Sequence, residues 1–377
     1  MLQAILSAAI VVTLLTSAAI VVRVGGRRIE GPMPLSLLGF MALLFTSGLD
    51  VGLIMMPLTE FPLYAREPEY AFANPLAIAF GFWGFLVWGF YFLTTFYFLA
   101  VEPHVRLFEI PQVKLINNVV IIGTCAFTAH LLWRNLPFYV PSIGELPRYT
   151  VVALAVLMSV LTSTHIRYVR LLSVWSMWVF GSLVAAMWLA SGMGVGGFAA
   201  SAADIGGYFR HLPRFVVPMS DYHAFYLFWW FSWSIMIGQF VSRFVGRIRT
   251  WQLAVALLVI PSIPLGAWFS VLYFYFRQGL PVHPVLNAAM VAVGILFVVN
   301  SLDSLIRLYS DNLGLTARRL GTAPYVATHW LLMYALVLAF QFTPLRIEWI
   351  GLVVIGLYAA IYLLLYRRWH ATRSVLA

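Results

Sequence analysis

The chain has 377 residues, of which 62% are hydrophobic and 10% are charged. A water-soluble globular domain carries about 25% charged residues, so this class of protein is excluded. The net charge of +10 does not indicate a nucleic-acid-binding protein, because the 23 basic residues are scattered through short loops and form neither a tail nor a stripe. The composition is typical of a protein that lies in a lipid bilayer.

Apolar runs bounded by glycine, proline and charged residues predict eleven membrane-spanning helices, because about 20 apolar residues cross a bilayer as a helix. The predicted spans are residues 2–22, 35–57, 76–100, 114–135, 148–165, 169–193, 224–246, 250–276, 284–308, 323–342 and 346–366. The first span also resembles a secretory signal, but no positive charge precedes it and three arginines follow it, so we expect it to be retained.

The basic residues predict the orientation of the chain. With the amino terminus outside, sixteen of the 23 basic residues fall on the inner side and seven on the outer side. Cytoplasmic loops carry the excess of lysine and arginine in membrane proteins. We therefore expect a multi-pass protein of the bacterial inner membrane, with its amino terminus outside and its carboxyl terminus in the cytoplasm.

One polar segment divides the chain. Residues 194–223 are too polar to span, and five predicted spans precede them after the first helix is set aside, while five follow. Two five-helix units must insert with opposite orientations, which is the geometry of an inverted repeat and is common among secondary transporters. The predicted organisation is an extra helix and cytoplasmic loop (1–34), a first unit (35–193), an extracellular or periplasmic connection (194–223), and a second unit with a short tail (224–377).

The first helix of each unit carries residues that could break it. They are Gly48, Gly52 and Pro57 in the second span, and Ser232, Ser234 and Gly238 in the seventh. A broken helix exposes backbone groups near the bilayer midplane, where substrates and ions bind. We therefore expect a break in both helices.

Two segments in the middle of spans are dense in aromatic residues. Their large rings are Trp83, Trp88 and Tyr91 in the third span and Trp229, Trp230 and Trp233 in the seventh. Packing or an interfacial belt would also explain such rings, but a belt lies at the ends of spans. An aromatic face attracts a cation within about 6 Å of the ring centroid, and a cage of faces suits a quaternary ammonium group. The pattern favours a cage for a methylated ammonium solute.

These residues resemble the betaine/choline/carnitine transporter family, from about residue 23 to 366. The segment from Trp229 to Ser234, followed by Gly238, Phe240, Arg243 and Gly246-Arg247, looks like the signature of that family. The spacing of Trp83, Trp88 and Tyr91 resembles its substrate box, with Trp230 as the fourth wall and Trp229 and Trp233 close by. The segment from Ser47 to Gly52, with Thr59-Glu60 after it, resembles its glycine-rich break.

The resemblance implies an all-α polytopic fold of about eleven helices, with a LeuT-type five-plus-five inverted repeat and one N-terminal helix. It also implies transport by alternating access, which in this family is often coupled to sodium or protons, and it allows a homo-oligomer. Family members usually have twelve spans and longer tails, so this chain looks like a shortened member. Another departure is Asp50, which replaces the middle glycine of the break. A carboxylate inside the membrane is costly, so Asp50 is either a counter-ion or proton carrier, or a cap on the broken helix.

Ion-binding candidates lie in two further spans. Asn300 and Ser301 resemble the sodium-site segment of the family, and their side chains with the carbonyl groups of Thr46 and Leu49 would supply the oxygen ligands that a hard cation needs. Thr124 and Thr128 resemble a second cation position of some members, although helical threonine pairs usually bond back to their own helix. No cofactor is expected, and no metal other than sodium.

Asp303 and Arg307 are one helical turn apart, which predicts an ion pair. No nucleophile and base pair, metal cluster or phosphate loop stands out, so we do not expect an enzyme. The sequence favours a secondary transporter of a quaternary-ammonium solute of the choline, glycine betaine or carnitine class. The alternative is a non-transporting relative that serves as a sensor or as a subunit of a larger membrane complex.

Overall fold

A computed structural model describes residues 2–49 and 51–367 of the chain. The first helices are α1 (Leu2–Val24), α2 (Leu37–Ser47), α3 (Val51–Arg66), α4 (Pro75–Trp83), α5 (Trp88–Phe96), α6 (Glu102–Val105), α7 (Pro111–Tyr139), α8 (Glu145–Ser163) and α9 (Ile166–Ala190). The helices that follow are α10 (Val195–Asp204), α11 (Gly206–Arg210), α12 (Asp221–Val241), α13 (Thr250–Leu258), α14 (Ser262–Gln278), α15 (Pro284–Leu313), α16 (Ala317–Leu320), α17 (Thr322–Phe342) and α18 (Ile347–Arg367). The two strands are β1 (Arg28–Ile29) and β2 (Ile248–Arg249).

The helices account for all the predicted spans. Among the described residues, ten helical segments are long and apolar enough to cross a bilayer, and the bent pair α2–α3 makes an eleventh. Several spans are built from two helices in succession, such as α4–α5 and α13–α14. The prediction of an all-α protein with about eleven spans is confirmed.

The outer and the central helices differ in what they expose. Leu15 of α1 is 65% exposed and Leu189 of α9 is 83% exposed, as is expected of side chains that face lipid. In contrast, 94% of the apolar stretch in the span Pro75–Val105 and 89% of that in Asp221–Phe244 are buried within the protein. These two aromatic-rich spans therefore lie at the centre of the helix bundle.

A glycine allows the two central spans to approach each other. A Cβ atom at Gly238 of α12 would lie 2.7 Å from the carbonyl carbon of Thr94 in α5, so only glycine fits there. The hydroxyl of Thr94 donates a hydrogen bond to the carbonyl of Ser234, 2.7 Å away. Small residues at helix crossings are the usual means of close packing within membranes. Gly238 therefore fixes the distance between the aromatic faces of α5 and α12.

The predicted break in the second span is confirmed. Helix α2 ends at Ser47 and α3 begins at Val51, and the two axes differ in direction by 55°. The break starts at Gly48, whereas Gly52 and Pro57 both lie inside α3.

The predicted break in the seventh span is wrong, because α12 is a continuous helix. The hydroxyls of Ser232 and Ser234 donate to the carbonyls of Trp229 and Phe231, at 2.6 and 2.7 Å, and so bond back to their own helix. Gly238 serves close packing instead of a change of direction.

A break that the sequence did not predict interrupts the third span. Helix α4 ends at Trp83, and a 3₁₀ turn at Phe85–Val87 precedes α5. Phe85 has a φ angle of 45°, in the left-handed region that a bulky residue rarely adopts. Its backbone N–H donates to the hydroxyl of Ser262, 2.8 Å away, so a bond from α14 helps to hold the turn.

Two distant basic loops meet at one end of the bundle. Strands β1 and β2 pair antiparallel, with Arg28 opposite Arg249 and Ile29 opposite Ile248. The loop after α1 and the loop after α12 therefore share one face, as the predicted inner set of loops requires. Which side of the membrane this face occupies stays a prediction.

The connecting segment between α9 and α12 folds into short helices. Phe215 packs over Gly81 of α4, where a Cβ atom would lie 2.8 Å from the ring tip, and Asn74 donates to the carbonyl of Asp204 at 2.8 Å. The segment thus lies against the outside of α4 without crossing the bundle. The exact domain limits, 1–34, 35–193, 194–223 and 224–377, stay predictions.

Candidate functional site

The structure brings four predicted rings together into a cage. The ring centroids of Trp83 and Trp230 are 5.8 Å apart, and those of Trp88 and Tyr91 are 5.1 Å apart. Trp230 also lies 6.0 Å from Trp88 and 5.5 Å from Tyr91. All four rings are buried. We call Trp83, Trp88, Tyr91 and Trp230 the aromatic cage.

The two remaining predicted tryptophans flank the aromatic cage. Trp229 packs edge-on against Trp83, with centroids 5.4 Å apart. A small cavity lies between these rings and the end of α2. Its lining residues are Gly48, Leu49, Trp83, Tyr91, Trp229, Trp230 and Trp233. Trp88 stands behind the cavity wall, with its ring against Gly48.

The break between α4 and α5 is stabilised by the cage itself. A helix end leaves carbonyl groups without partners, and in a bilayer these must be satisfied within the protein. The indole N–H of Trp88 donates to the carbonyl of Trp83 at 3.0 Å, and that of Trp230 donates to the carbonyl of Phe82 at 2.7 Å. Two of the four cage rings, Trp88 and Trp230, therefore also hold the broken backbone.

The indole N–H groups of Trp83 and Trp229 differ from those of Trp88 and Trp230, which are hydrogen-bonded. Within the part of the chain that the structure describes, neither indole N–H has a hydrogen-bond partner, although both are buried. Buried donors without partners are rare. These two N–H groups are available for an acceptor oxygen on a bound solute.

The aromatic cage is closed in this conformation. Trp83 and Trp230 meet edge to face at 80°, as do Trp88 and Tyr91, and Trp230 is tilted by 54° to Trp88 and by 55° to Tyr91. The rings therefore occupy the space in front of one another. A cation must reach a ring face to within about 6 Å of the centroid. Binding of a quaternary ammonium group therefore requires the rings to move apart.

A group of oxygens lies beside the cage at the end of α2. The hydroxyl of Ser301 on α15 is 2.6 Å from the carbonyl oxygen of Leu49 and 3.4 Å from that of Thr46. Tyr91 of the cage reaches the neighbouring carbonyl of Gly48 at 3.4 Å. The aromatic cage and this oxygen group therefore contact the same four-residue end of α2.

The other predicted ion ligands lie elsewhere. The side chain of Asn300 faces α9, where it hydrogen-bonds to Ser176 and accepts from Ser173 at 3.4 Å, instead of joining Ser301. Thr128 bonds back to the carbonyl of Thr124 at 3.2 Å, and the buried Thr124 hydroxyl has no partner among the described residues. Asp50 lies outside the described residues.

The predicted ion pair between Asp303 and Arg307 is wrong. The guanidinium of Arg307 lies 4.0 Å from the carboxylate of Asp311 and donates to the carbonyls of Ser163 and Thr164 at 3.3 and 3.4 Å. Asp311 is half-exposed at the end of α15 and also binds Arg243 at 3.5 Å. The arginine therefore extends toward the end of the bundle, where water reaches its head group.

A buried carboxylate to which the sequence analysis assigned no role lies next to the cage. Glu60 of α3 is only 4% exposed and accepts hydrogen bonds from three tyrosines. Tyr64 donates at 2.9 Å, Tyr226 at 2.6 Å, and Tyr222 donates to the same oxygen as Tyr226. We call Glu60, Tyr64, Tyr222 and Tyr226 the Glu60 cluster.

The Glu60 cluster connects the two halves of the chain. Glu60 and Tyr64 belong to α3, whereas Tyr222 and Tyr226 belong to α12. The ring of Tyr226 also contacts Trp83 at a centroid distance of 5.5 Å, so the cluster adjoins the aromatic cage. The i,i+4 spacing within each pair was visible in the sequence, but nothing local showed that the two pairs meet.

Comparison with known proteins gives partial likenesses to transporters. No protein-family model matches the chain. An uncharacterised transporter of Mycobacterium tuberculosis is 27% identical over 136 residues, covering 27% of this chain and 23% of that protein. Glycine betaine transporter 1 of Vibrio parahaemolyticus is 29% identical over 119 residues, covering 28% of this chain and 22% of that transporter. The chain thus matches less than a quarter of the length of these curated relatives.

A solved structure covers nearly the whole chain. It is a Na⁺-coupled sialic acid symporter in a substrate-bound, outward-open state, and it matches 95% of this chain and 86% of its own with a TM-score of 0.53 and 13% identity. The fold is of the LeuT type. The predicted fold class is therefore confirmed.

Proposed function

We propose that this protein is a secondary active transporter, not an enzyme, and that it carries a quaternary-ammonium solute of the choline, glycine betaine or carnitine class by alternating access. The observation that carries the proposal is the aromatic cage, in which three rings from one half of the chain and Trp230 from the other meet beside the broken helix α2–α3. The similarity to a glycine betaine transporter supports the solute class. The indoles of Trp83 and Trp229, which have no hydrogen-bond partner among the described residues, suit a solute that also carries an oxygen acceptor.

Sodium is the coupling ion that the oxygen group fits best. The hydroxyl of Ser301 and the carbonyls of Thr46 and Leu49 are neutral oxygens, which are the ligands of a hard cation. The structural neighbour is Na⁺-coupled, which supports the same choice. Proton coupling through Asp50 is the alternative.

The shared end of α2 explains how ion and solute would be coupled. Sodium would hold the Thr46 and Leu49 carbonyls against α15, while Tyr91 contacts the Gly48 carbonyl between them. A bound ion therefore orders the wall of the solute cavity before the solute arrives. Two ligands that stabilise the same arrangement of one segment bind with positive cooperativity.

The membrane environment completes the proposal. A multi-pass protein in the bacterial inner membrane, with an extracellular amino terminus and a cytoplasmic carboxyl terminus, agrees with the basic loops that β1 and β2 bring together. Assembly into a homo-oligomer stays a prediction.

The test is tryptophan fluorescence of the purified protein, titrated with choline, glycine betaine and carnitine, with and without sodium. We expect saturable quenching by one solute, strengthened by sodium and abolished by Trp230→Ala or Tyr91→Leu. Trp175→Phe on α9 is the control, because that ring is 62% exposed and its helix contributes no residue to the cage. Circular dichroism checks that each variant is folded.

Uptake into proteoliposomes then separates transport from sensing. Binding together with uptake driven by a sodium gradient would support the proposal. Binding without uptake would indicate the non-transporting sensor or subunit. No response to any of the three solutes, in folded wild-type protein, would overturn the proposed solute class.

A further inference from the structure

The ribbon formed by β1 and β2 has a charged face and an apolar face. Arg28 and Arg249 lie directly opposite each other in the antiparallel register, and both are exposed. The next pair is Ile29 and Ile248, of which Ile29 is buried. Successive side chains of a strand point to opposite faces, so the two guanidinium groups share the outer face of the ribbon. We call Arg28 and Arg249 the arginine pair.

The arginine pair places two like charges side by side. Directly opposed side chains of an antiparallel pair have Cβ atoms about 4.5–5.5 Å apart, and like charges there are destabilising. Neither Arg28 nor Arg249 forms an ion pair within the described parts of the chain, and neither does Glu30, which follows β1. Arg27 and Arg247 add two exposed basic residues beside the pair. An anionic partner from outside the chain would relieve this repulsion.

The main chain prevents the arginine pair from moving apart. On one side of it, the N–H of Thr250 donates to the carbonyl of Arg27 at 2.9 Å. On the other side, the N–H of Gly31 donates to the carbonyl of Val245, also at 2.9 Å. Separation of the two strands would break these hydrogen bonds. The fold therefore holds both guanidinium groups at one place before any partner binds.

The ribbon lies at the boundary between lipid and water. Strand β1 follows the end of α1 after a short turn, and β2 leads directly into α13. The two helix ends are adjacent, because the N–H of Trp251 donates to the carbonyl of Gly25 at 3.1 Å. Val22 in the last turn of α1 is 84% exposed, and Trp251 in the first turn of α13 is 44% exposed. Tryptophan collects at membrane–water interfaces, so this position is the level of the lipid head groups.

We propose that the arginine pair binds the phosphate group of an anionic phospholipid, whose acyl chains lie against α1 and α13. Guanidinium groups bind phosphate through two parallel hydrogen bonds, and basic residues next to a membrane surface attract anionic lipids. The orientation of the chain requires basic residues in these loops, but it does not require two of them at paired positions of a ribbon. The repulsion within the pair is therefore explained by the lipid and not by topology.

The experiment measures the first lipid that binds to the purified full chain. Native mass spectrometry in a neutral detergent follows titrations with dioleoyl phosphatidylglycerol and, in parallel, with dioleoyl phosphatidylcholine. The test variant is Arg28→Gln with Arg249→Gln. The control is Arg318→Gln with Arg319→Gln, which removes the same charge from exposed positions of α16, away from the ribbon.

We expect wild type to bind one phosphatidylglycerol more tightly than phosphatidylcholine. Each arginine near a membrane surface contributes about fivefold to the affinity for an anionic lipid, so the test variant should raise the Kd of that lipid about twentyfold. The control should leave the Kd unchanged. Thermal unfolding in phosphatidylcholine micelles should show the test variant to be at least as stable as wild type, because the repulsion is gone.

Three results would overturn the proposal. Equal weakening by the control would show that only the overall charge matters, and equal affinity of wild type for the two lipids would show that the head-group charge is not recognised. Displacement of the lipid by an excess of inorganic phosphate would show that the pair binds free phosphate instead. If the test variant does not fold, Arg249→Gln alone replaces it, with an expected fivefold rise in Kd, and an unchanged Kd would equally refute the site.

Discussion

The Glu60 cluster gives the sharpest test of how the two halves of the chain are held together. Tyr226→Phe removes one hydroxyl that donates to Glu60 across the α3–α12 contact, at 2.6 Å, and leaves the ring in place against Trp83. Hydrogen bonds between membrane helices contribute on average about 0.6 kcal/mol, with a maximum of about 1.7 kcal/mol. Because this bond is short, buried and made to a carboxyl group, we expect a value near the upper end, about 1.5 kcal/mol.

A double-mutant cycle isolates this bond from the other effects of each substitution. The free energy of unfolding is measured in mixed detergent micelles for wild type, Tyr226→Phe, Glu60→Leu, which removes the acceptor, and the double variant. The coupling free energy should be about 1.5 kcal/mol if Glu60 is ionised. Tyr168→Phe on α9 is the matched control, since that side chain is half-exposed, and it should leave the free energy of unfolding unchanged.

The result that would refute the reasoning is a coupling below about 0.3 kcal/mol, half of the average for such bonds. It would mean that the tyrosine hydroxyl is solvated, or finds another partner, at no cost. The Glu60 cluster would then be a contact of this conformation with no part in its stability.

Three further predictions concern the cage and its frame. Gly238→Ala should lower the free energy of unfolding by about 1–3 kcal/mol, because its Cβ would overlap Thr94. Gly181→Ala is the control and should be neutral or stabilising, because open space surrounds that position. Thermal unfolding in detergent compares the two variants, and equal unfolding midpoints would contradict the close packing at Gly238. Trp88→Phe keeps a ring but leaves the Trp83 carbonyl without its hydrogen-bond donor. The same assay should show that the free energy of unfolding falls by about 1–3 kcal/mol. An unchanged unfolding midpoint would show that the indole bond does not contribute to stability. Ser301→Ala should raise about tenfold the sodium concentration at which the solute-induced quenching of tryptophan fluorescence is half-maximal. An unaltered sodium dependence would show that Ser301 is not part of the ion site.

Much of the cage was predictable from the sequence because its residues are close together along the chain. Trp83, Trp88 and Tyr91 stood out as large rings in the middle of one predicted span, and Trp230 was assigned as the fourth wall by family resemblance. In the structure the four rings contact one another. Their role as a binding site stays a prediction.

The features that the sequence missed depend on contacts between distant residues. The break after Trp83 is held by Ser262 of α14, and Glu60 meets tyrosines more than 160 residues away. Arg307 illustrates the converse error: its helical spacing to Asp303 is correct for an ion pair, but a carboxylate at the wetter end of the helix binds it instead. Local spacing shows which partners are within reach, while burial and solvation decide among them.

The double role of two indoles limits how the specificity of this site can change. Trp88 and Trp230 cap the open carbonyls of the third span, so replacing either ring alters the path of the main chain along with the shape of the pocket. The indole N–H groups of Trp83 and Trp229 make no hydrogen bond to any described residue. Substitutions that change the size of the solute accepted by the proposed site should therefore accumulate first at Trp83 and Trp229, during evolution or in a directed-evolution library. Trp88 and Trp230 should change only together with the turn that their indoles hold.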